Sequence, residues 1–307
     1  MSAQRFAVLG AVEFSNACLQ GILATRQLPS PHLVIGLHPD EAHRHSDYLN
    51  LARAASDAGV PAASVHSANH ASTVALLRRI RIDVLLVLGW SEILGSETLG
   101  AVGRTVGSHP SMLPHNRGHH PLIWPLVLGL ERTGLSFFEL ADRVDSGPLL
   151  WQSEVIIGPD DTARDLYDRA SGVAVSGLRT LLPALLAQNL VGQPQAETGA
   201  SYWRKRCFDD GRIDPLDTVR TAYNLVRALS EPYPGAHIEV RGRPVKVWQA
   251  VPRSVRPGNA THPGQVTEID GGRVALRCSD AELVLLRHEL DLRLIRVGDT
   301  IGVVEPR

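Results

Sequence analysis

Val84-Leu85-Leu86-Val87-Leu88-Gly89 is an unbroken apolar run closed by a glycine. It has no polar face, so residues 84–88 read as a strand covered on both sides, and such strands belong to parallel sheets flanked by helices. The chain upstream has the rhythm that such a sheet requires. Apolar runs at 6–9, 33–37 and 62–65 alternate with helical patterns near 15–25, 47–58 and 71–80. The fold class expected is α/β, a mainly parallel sheet with helices on both faces. Ligands of such sheets bind beyond the carboxyl ends of the strands, where the strand order reverses, so chemistry is sought in the loops that follow strands.

The pattern changes downstream of about residue 183. Residues 190–217 hold Gly192, Pro194, Gly199, Gly211 and Pro215 around the run Trp203-Arg204-Lys205-Arg206, and read as a linker. A helix near 217–229 follows. Short β-like runs at 237–240, 245–250, 265–268, 274–278 and 283–286 come next, parted by Arg241-Gly242-Arg243-Pro244 and Asp270-Gly271-Gly272. One helix and several closely spaced strands predict a small barrel or sandwich.

Composition narrows the functional classes. The 307 residues suffice for a large domain and a small one, and 31 basic against 32 acidic residues give no global field to gather a polyanion. Cys18, Cys207 and Cys278 are far apart, without the spacing of a zinc site or a disulfide framework, and read as reduced thiols of a cytoplasmic protein. The apolar run near Met1 is too short for a leader, and no segment approaches eighteen uninterrupted apolar residues, so no membrane partner is expected.

Residues 106–152, VGSHPSMLPHNRGHHPLIWPLVLGLERTGLSFFELADRVDSGPLLWQ, differ from the rest. His109, His115, His119 and His120 crowd together, which suggests a metal site. Their spacing fits no helical ligand motif, and Pro110, Pro114 and Pro121 break any helix that would align them, so no metal is expected. A solvated loop accounts for His115, His119 and His120. His109 is different, because it directly follows the strand end Val106-Gly107-Ser108, where a polar residue faces the ligand crevice.

These residues resemble those of the formyltransferases that use 10-formyltetrahydrofolate. That family carries Asn-x-His-x-Ser-Leu-Leu-Pro, then Arg-Gly, Thr-Gly and Asp-x-Gly. Here stand His109-Pro110-Ser111-Met112-Leu113-Pro114, Arg117-Gly118, Thr133-Gly134 and Asp145-Ser146-Gly147, with Gln152 after them. The resemblance extends over nearly the whole chain, through Gly10-Ala11-Val12-Glu13-Phe14, Asp209-Asp210-Gly211-Arg212-Ile213-Asp214, Tyr233-Pro234-Gly235-Ala236 and Val245-Lys246-Val247-Trp248. It implies a Rossmann-like catalytic domain over 1–189, a linker over 190–210 and an OB-like domain over 211–307. The co-substrate implied is 10-formyltetrahydrofolate, and a homo-oligomer is compatible with it.

By the same resemblance His109 is the acid/base or oxyanion-facing group and Asp145 its partner. Formyl transfer requires both roles: the attacking amine loses a proton, the leaving folate nitrogen gains one, and an oxyanion develops between. Histidine exchanges protons near neutral pH, and a carboxylate beside it orients the ring. The family's folate-side loops match Leu88–Leu94, with Trp90, Ser91, Ile93 and Leu94, and Glu139–Asp145, with Glu139 and Asp142; packing and solvent exposure are the competing readings for Trp90 and Asp142. Met112 and Leu113 are expected to wall the formyl group. Gly107 departs from the pattern, standing where the family has the asparagine held to bind the oxyanion. A backbone N–H or water could replace that amide, Asn116 could reach in from the loop, or the chain could have drifted from formyl transfer.

The acceptor divides the family. Methionyl-tRNA formyltransferases insert a basic loop after the second strand, whereas His38-Pro39-Asp40-Glu41-Ala42-His43-Arg44-His45-Ser46-Asp47 has three acids and one arginine and would repel phosphate. A small amine, above all a nucleotide-linked amino sugar, is therefore expected rather than tRNA. A formyl-folate hydrolase and a non-catalytic folate-binding homologue are the alternatives from other classes.

Overall fold

The computed structural model describes residues 4–255 and 261–303. The chain divides into two compact units. The first holds residues 1–121, 132–156 and 167–204, and the second holds 122–131, 157–166 and 205–307.

In the first unit β1 (Phe6–Gly10), α1 (Glu13–Leu23), β2 (Leu33–Leu37), α2 (Leu51–Asp57), β3 (Ala62–Val65), α3 (Ala71–Ile80) and β4 (Val84–Val87) alternate as the sequence predicts. A short helix α4 (Ser96–Leu99) leads to β5 (Arg104–His109) and the two-residue strand β6 (Arg117–Gly118). After α5 (Ile123–Val127), which belongs to the second unit, come β7 (Arg132–Glu139), β8 (Leu149–Ile156) and the long helix α6 (Ala163–Leu186), whose residues up to 166 are counted with the second unit.

The seven-stranded sheet runs β3-β2-β1-β4-β5-β7-β8. Pairs from β3 to β5 are parallel, whereas β7 and β8 join antiparallel. β1 and β4 are wholly buried, as strands with helices on both faces must be. The strand order reverses between β1 and β4, and Ser15 fastens that point. Its Oγ donates to the Leu88 carbonyl at 2.5 Å and accepts from the Ala11 and Val12 amides at 3.1 and 3.2 Å.

The second unit contains α7 (Val219–Leu229) and the strands β10 (Ala236–Val240), β11 (Arg243–Arg253), β12 (Val266–Asp270), β13 (Arg273–Arg277) and β14 (Glu282–His288). They form one antiparallel sheet in the order β10-β11-β14-β13-β12. Residues 190–203, expected as linker, lie along the first unit. Gln193 exchanges both backbone bonds with Leu149, and β9 (Tyr202–Trp203) pairs parallel with β6. No helix among the described residues is long and apolar enough to cross a membrane.

Candidate active site

β5 ends on His109, so the sheet delivers that ring to its carboxyl edge. The side chain is buried. Its Nδ1 lies 3.5 Å from Asp145 Oδ2, and its Nε2–H donates to the Asn116 carbonyl at 2.9 Å. An acceptor thus faces each ring nitrogen, which fixes the plane of the imidazole. Asp145 Oδ2 also accepts the Gly118 amide at 2.8 Å. Asp145 holds this pose in the left-handed region, φ +53°, where short polar side chains are tolerated better than most. Two motif glycines are set by close backbone approach. A Cβ at Gly147 would collide with the Glu139 carbonyl, and Gly118, at φ +99°, faces the Trp203 carbonyl at 2.5 Å from the same position.

The turn after His109 is pinned from β7 and β8. Ser136 Oγ donates to the Ser111 carbonyl at 2.6 Å and accepts the Leu113 amide at 3.2 Å. Gln152 Nε2 donates to the Leu113 carbonyl and to Ser136 Oγ, both at 2.8 Å. The loop after β4 is held from the turn before α3. Glu92 accepts from Ser67 Oγ at 2.5 Å, the Ala68 amide at 2.8 Å and Asn69 Nδ2 at 3.1 Å. Asn69 in turn donates to the Ile93 carbonyl and accepts the Gly95 amide.

A family model described as formyl transferase matches residues 5–182, and one described as formyl transferase, C-terminal domain, matches 208–293. The chain belongs to the formyl transferase family. Among solved structures it is similar to WlaRD, a sugar 3N-formyl transferase crystallised in the presence of dTDP and 5-N-formyl-THF. Identity there is 17%, the TM-score 0.69, and the match covers 94% of this chain and 98% of that one. An N-formyltransferase from Helicobacter canadensis, in complex with folinic acid and dTDP-3-aminofucose, matches at 15% identity and TM-score 0.68 over 93% and 99% of the two chains. The methionyl-tRNA formyltransferase of Clostridium thermocellum matches at 19% and 0.60 over 83% and 95%. At such identities the likeness is one of fold.

The other expected residues of this formyl transferase fall into distinct places. Gly107 does not open a slot for water or for an incoming carboxamide. A Cβ there would lie 2.5 Å from Leu140 Cδ2, so an apolar side chain occupies the space. Asn116 meets His109 through its backbone carbonyl, while its carboxamide oxygen accepts from Ser201 Oγ at 3.2 Å and its backbone N–H donates to Ser201 Oγ at 2.8 Å. Leu94 is buried in the core with Leu85 and Val87, and Trp90 and Leu140 pack against the same cluster. The indole N–H of Trp90 is buried and has no acceptor among the described residues. Ile93 is 71% exposed, and Ser91 Oγ lies 3.4 Å from His45 Nε2.

Glu139 is paired with Arg104, which donates to its Oε1 through Nε at 3.0 Å and through Nη2. Asp142 is exposed and Leu113 buried, while Met112 is partly exposed and packs against Gly134. A cavity of about 700 Å3 between α1 and α6, lined by Glu13, Asn16, Ser171 and Arg179 among others, includes none of the expected site residues. No cluster of metal ligands exists among the described residues.

Sequence reasoning missed Glu92 and Ser136 as holders of the site, and it missed Gln195, Ser201 and Tyr202 altogether. The last three stand in a stretch rich in turn residues, and the pairing of β6 with β9, with the Gln193–Leu149 bridge, brings them to residues 78–85 positions upstream. No local pattern encodes such a pairing.

Proposed function

We propose that the protein transfers a formyl group from 10-formyltetrahydrofolate to the amino group of a nucleotide-linked amino sugar. The observation that carries this reading is the buried His109–Asp145 pair at the end of a parallel strand, in a chain of this family. The amine nitrogen attacks the formyl carbon and forms the new C–N bond, and charge gathers on the formyl oxygen. The bond to the folate nitrogen then breaks, and the proton lost by the amine goes to that nitrogen. His109 Nε2 faces away from the carboxylate and is the nitrogen that carries the proton, once it exchanges the Asn116 carbonyl for substrate. Asp145 holds Nδ1 and offsets the charge of the doubly protonated ring.

The sugar acceptor is supported by the ligands named for the two sugar transferases above and by the loop after β2. There Glu41 pairs with Arg44 at 2.8 Å and faces His66, Asp40 lies 3.4 Å from His38, and Asp47 accepts the Tyr167 hydroxyl at 2.5 Å. The loop's single arginine is committed within it, which leaves no arginine or lysine there to neutralise tRNA phosphates. We read the antiparallel sheet of the second unit as OB-like, and three unpaired cysteines fit a cytoplasmic enzyme.

Leu140 beside Gly107 favours a second reading, a folate-binding homologue without turnover, because losing an oxyanion donor costs roughly 10²–10³ in rate. Incubation with 10-formyltetrahydrofolate and a panel of dTDP- and UDP-linked amino sugars, read by mass spectrometry, separates the outcomes. Formylated sugar with matching tetrahydrofolate supports transfer. Free formate without formylated sugar indicates a hydrolase. Folate binding without consumption indicates the second reading.

A further inference from the structure

We propose that Gln195 is a positioning residue for the His109–Asp145 pair, resting on the formyl-transfer reading given above. Its side-chain amide is used at both ends. Nε2 donates to the Asp145 carbonyl at 2.9 Å and to the Gly147 carbonyl at 2.7 Å. Oε1 accepts from Arg117 Nε at 3.2 Å and Nη2 at 2.8 Å. The two carbonyls bracket the turn Asp145-Ser146-Gly147, so one amide group sets the peptide planes on which the Asp145 carboxylate is mounted. That turn needs an external holder, because Asp145 sits at φ +53° and a non-glycine residue persists there only when its surroundings determine it.

The holder is itself anchored. Arg117 is fully buried, donates through Nη1 to the Tyr202 hydroxyl at 2.8 Å, and lies 3.5 Å from Glu197. A buried guanidinium is left stranded if its partners leave, so Gln195 is held in register by the cost of losing it. Gly118, the residue after Arg117, gives its amide to Asp145 Oδ2. Arg117 and its neighbour therefore grip the turn at two points, through Gln195 at the carbonyls and directly at the carboxylate.

Gln195→Glu separates the two ends of the side chain. A glutamate still accepts from Arg117, but it cannot donate and sets a carboxylate oxygen against two carbonyls. The expected result is a protein that melts with the wild type, keeps its KM for the folate donor, and loses kcat on the order of 100-fold, the scale of a misplaced reacting group. In protein labelled with 15N-histidine, the ring signals of His109, assigned from His109→Gln, move away from their wild-type positions. Gln195→Met, of similar length and without polar atoms, serves if the glutamate variant does not fold; it melts lower because Arg117 loses an acceptor, and the same loss of kcat and the same movement of the His109 signals are expected of its folded fraction.

Unchanged kcat with unmoved His109 signals would overturn the proposal. So would a lower melting temperature in a variant whose folded fraction keeps full kcat, since Gln195 would then only stabilise the fold. If the wild type turns over no acceptor, the formyl-transfer reading falls and the NMR comparison alone decides the positioning role.

Discussion

His109 and Asp145 can be tested without disturbing the fold. Asp145→Asn suits the left-handed turn, since asparagine tolerates φ near +53°, and it removes only the charge that faces Nδ1. Asp145→Asn and His109→Gln are each expected to lower kcat by roughly 10²–10⁴, the range for a general acid–base group. Steady-state assays with the true acceptor check this, and near-native kcat in either variant ends that residue's assignment. Gly107 is a different matter. Gly107→Asn drives a side chain into Leu140 and should cost about 1–3 kcal/mol as an overpacked site, seen as a lower urea midpoint. Pairing it with Leu140→Ala makes room, and the double variant should regain stability relative to Gly107→Asn. If the single substitution proves neutral, Leu140 does not fill the space. The position of His109 was legible because a motif histidine follows a strand end. The occupation of the Gly107 slot was not, because Leu140 comes from the residue just past β7 and nothing near residue 107 announces it.

At the scale of elements, the parallel half of the sheet was legible almost to the residue, since each strand is a short apolar run and each helix shows a 3.6 period. The hairpin of β7 and β8 was not. β7 is buried along most of its length and lacks the alternation of a half-exposed strand, and the motif residues within it drew the reading toward chemistry. The helix α6 was hidden by Gly172, Gly177 and Pro183, which interrupt the helical pattern that packing nonetheless sustains. The loop after β4 is the element expected from the family resemblance to meet the folate donor, and Glu92 holds its shape. Glu92→Ala removes three hydrogen bonds to one carboxylate. Hydrogen bonds to a charged group are worth about 1.5–3 kcal/mol each, so even part of that loss loosens the loop. The expected outcome is a Kd for a tetrahydrofolate analogue raised roughly 10-fold, equal to about 1.4 kcal/mol by calorimetry. Unaltered binding would show that the loop does not meet the folate.

Across the whole molecule, acid should weaken the fold through particular histidines. Burial holds His45, His237 and His288 below the ordinary histidine value, with Lys246 adding to the effect at His237. At His288 burial outweighs the hydrogen bond between its Nε2 and the Gly272 carbonyl at 3.0 Å, which acts in the other direction. All three are kept neutral in the folded state and take up protons more readily when the chain unfolds. Their contribution is complete above about pH 6.5, the unfolded value, and is lost as the pH falls toward the lower folded values. Melting temperature should therefore decline as the pH falls below about 6.5. His237→Phe, which can keep the ring stack on Phe208 but cannot titrate, should flatten part of the slope. A slope unchanged in that variant would remove His237 from the account.

Burial of the Arg117 guanidinium has a consequence for synthesis on the ribosome. Its partners are Gln195, Glu197 and Tyr202, so the cation is made many residues before anything exists to receive it. A nascent chain that has extruded the whole seven-stranded sheet still carries an unmet charge at the mouth of its own crevice. The same is true of a gene cut after codon 189, which keeps every strand of that sheet. Both products leave residues 122–131 and 157–166 without the rest of the second unit, so the expected difference is a relative one: a product ending at 204 should resist proteases better than one ending at 189. Equal protease resistance of the two would mean that the late segment is not what completes the first unit.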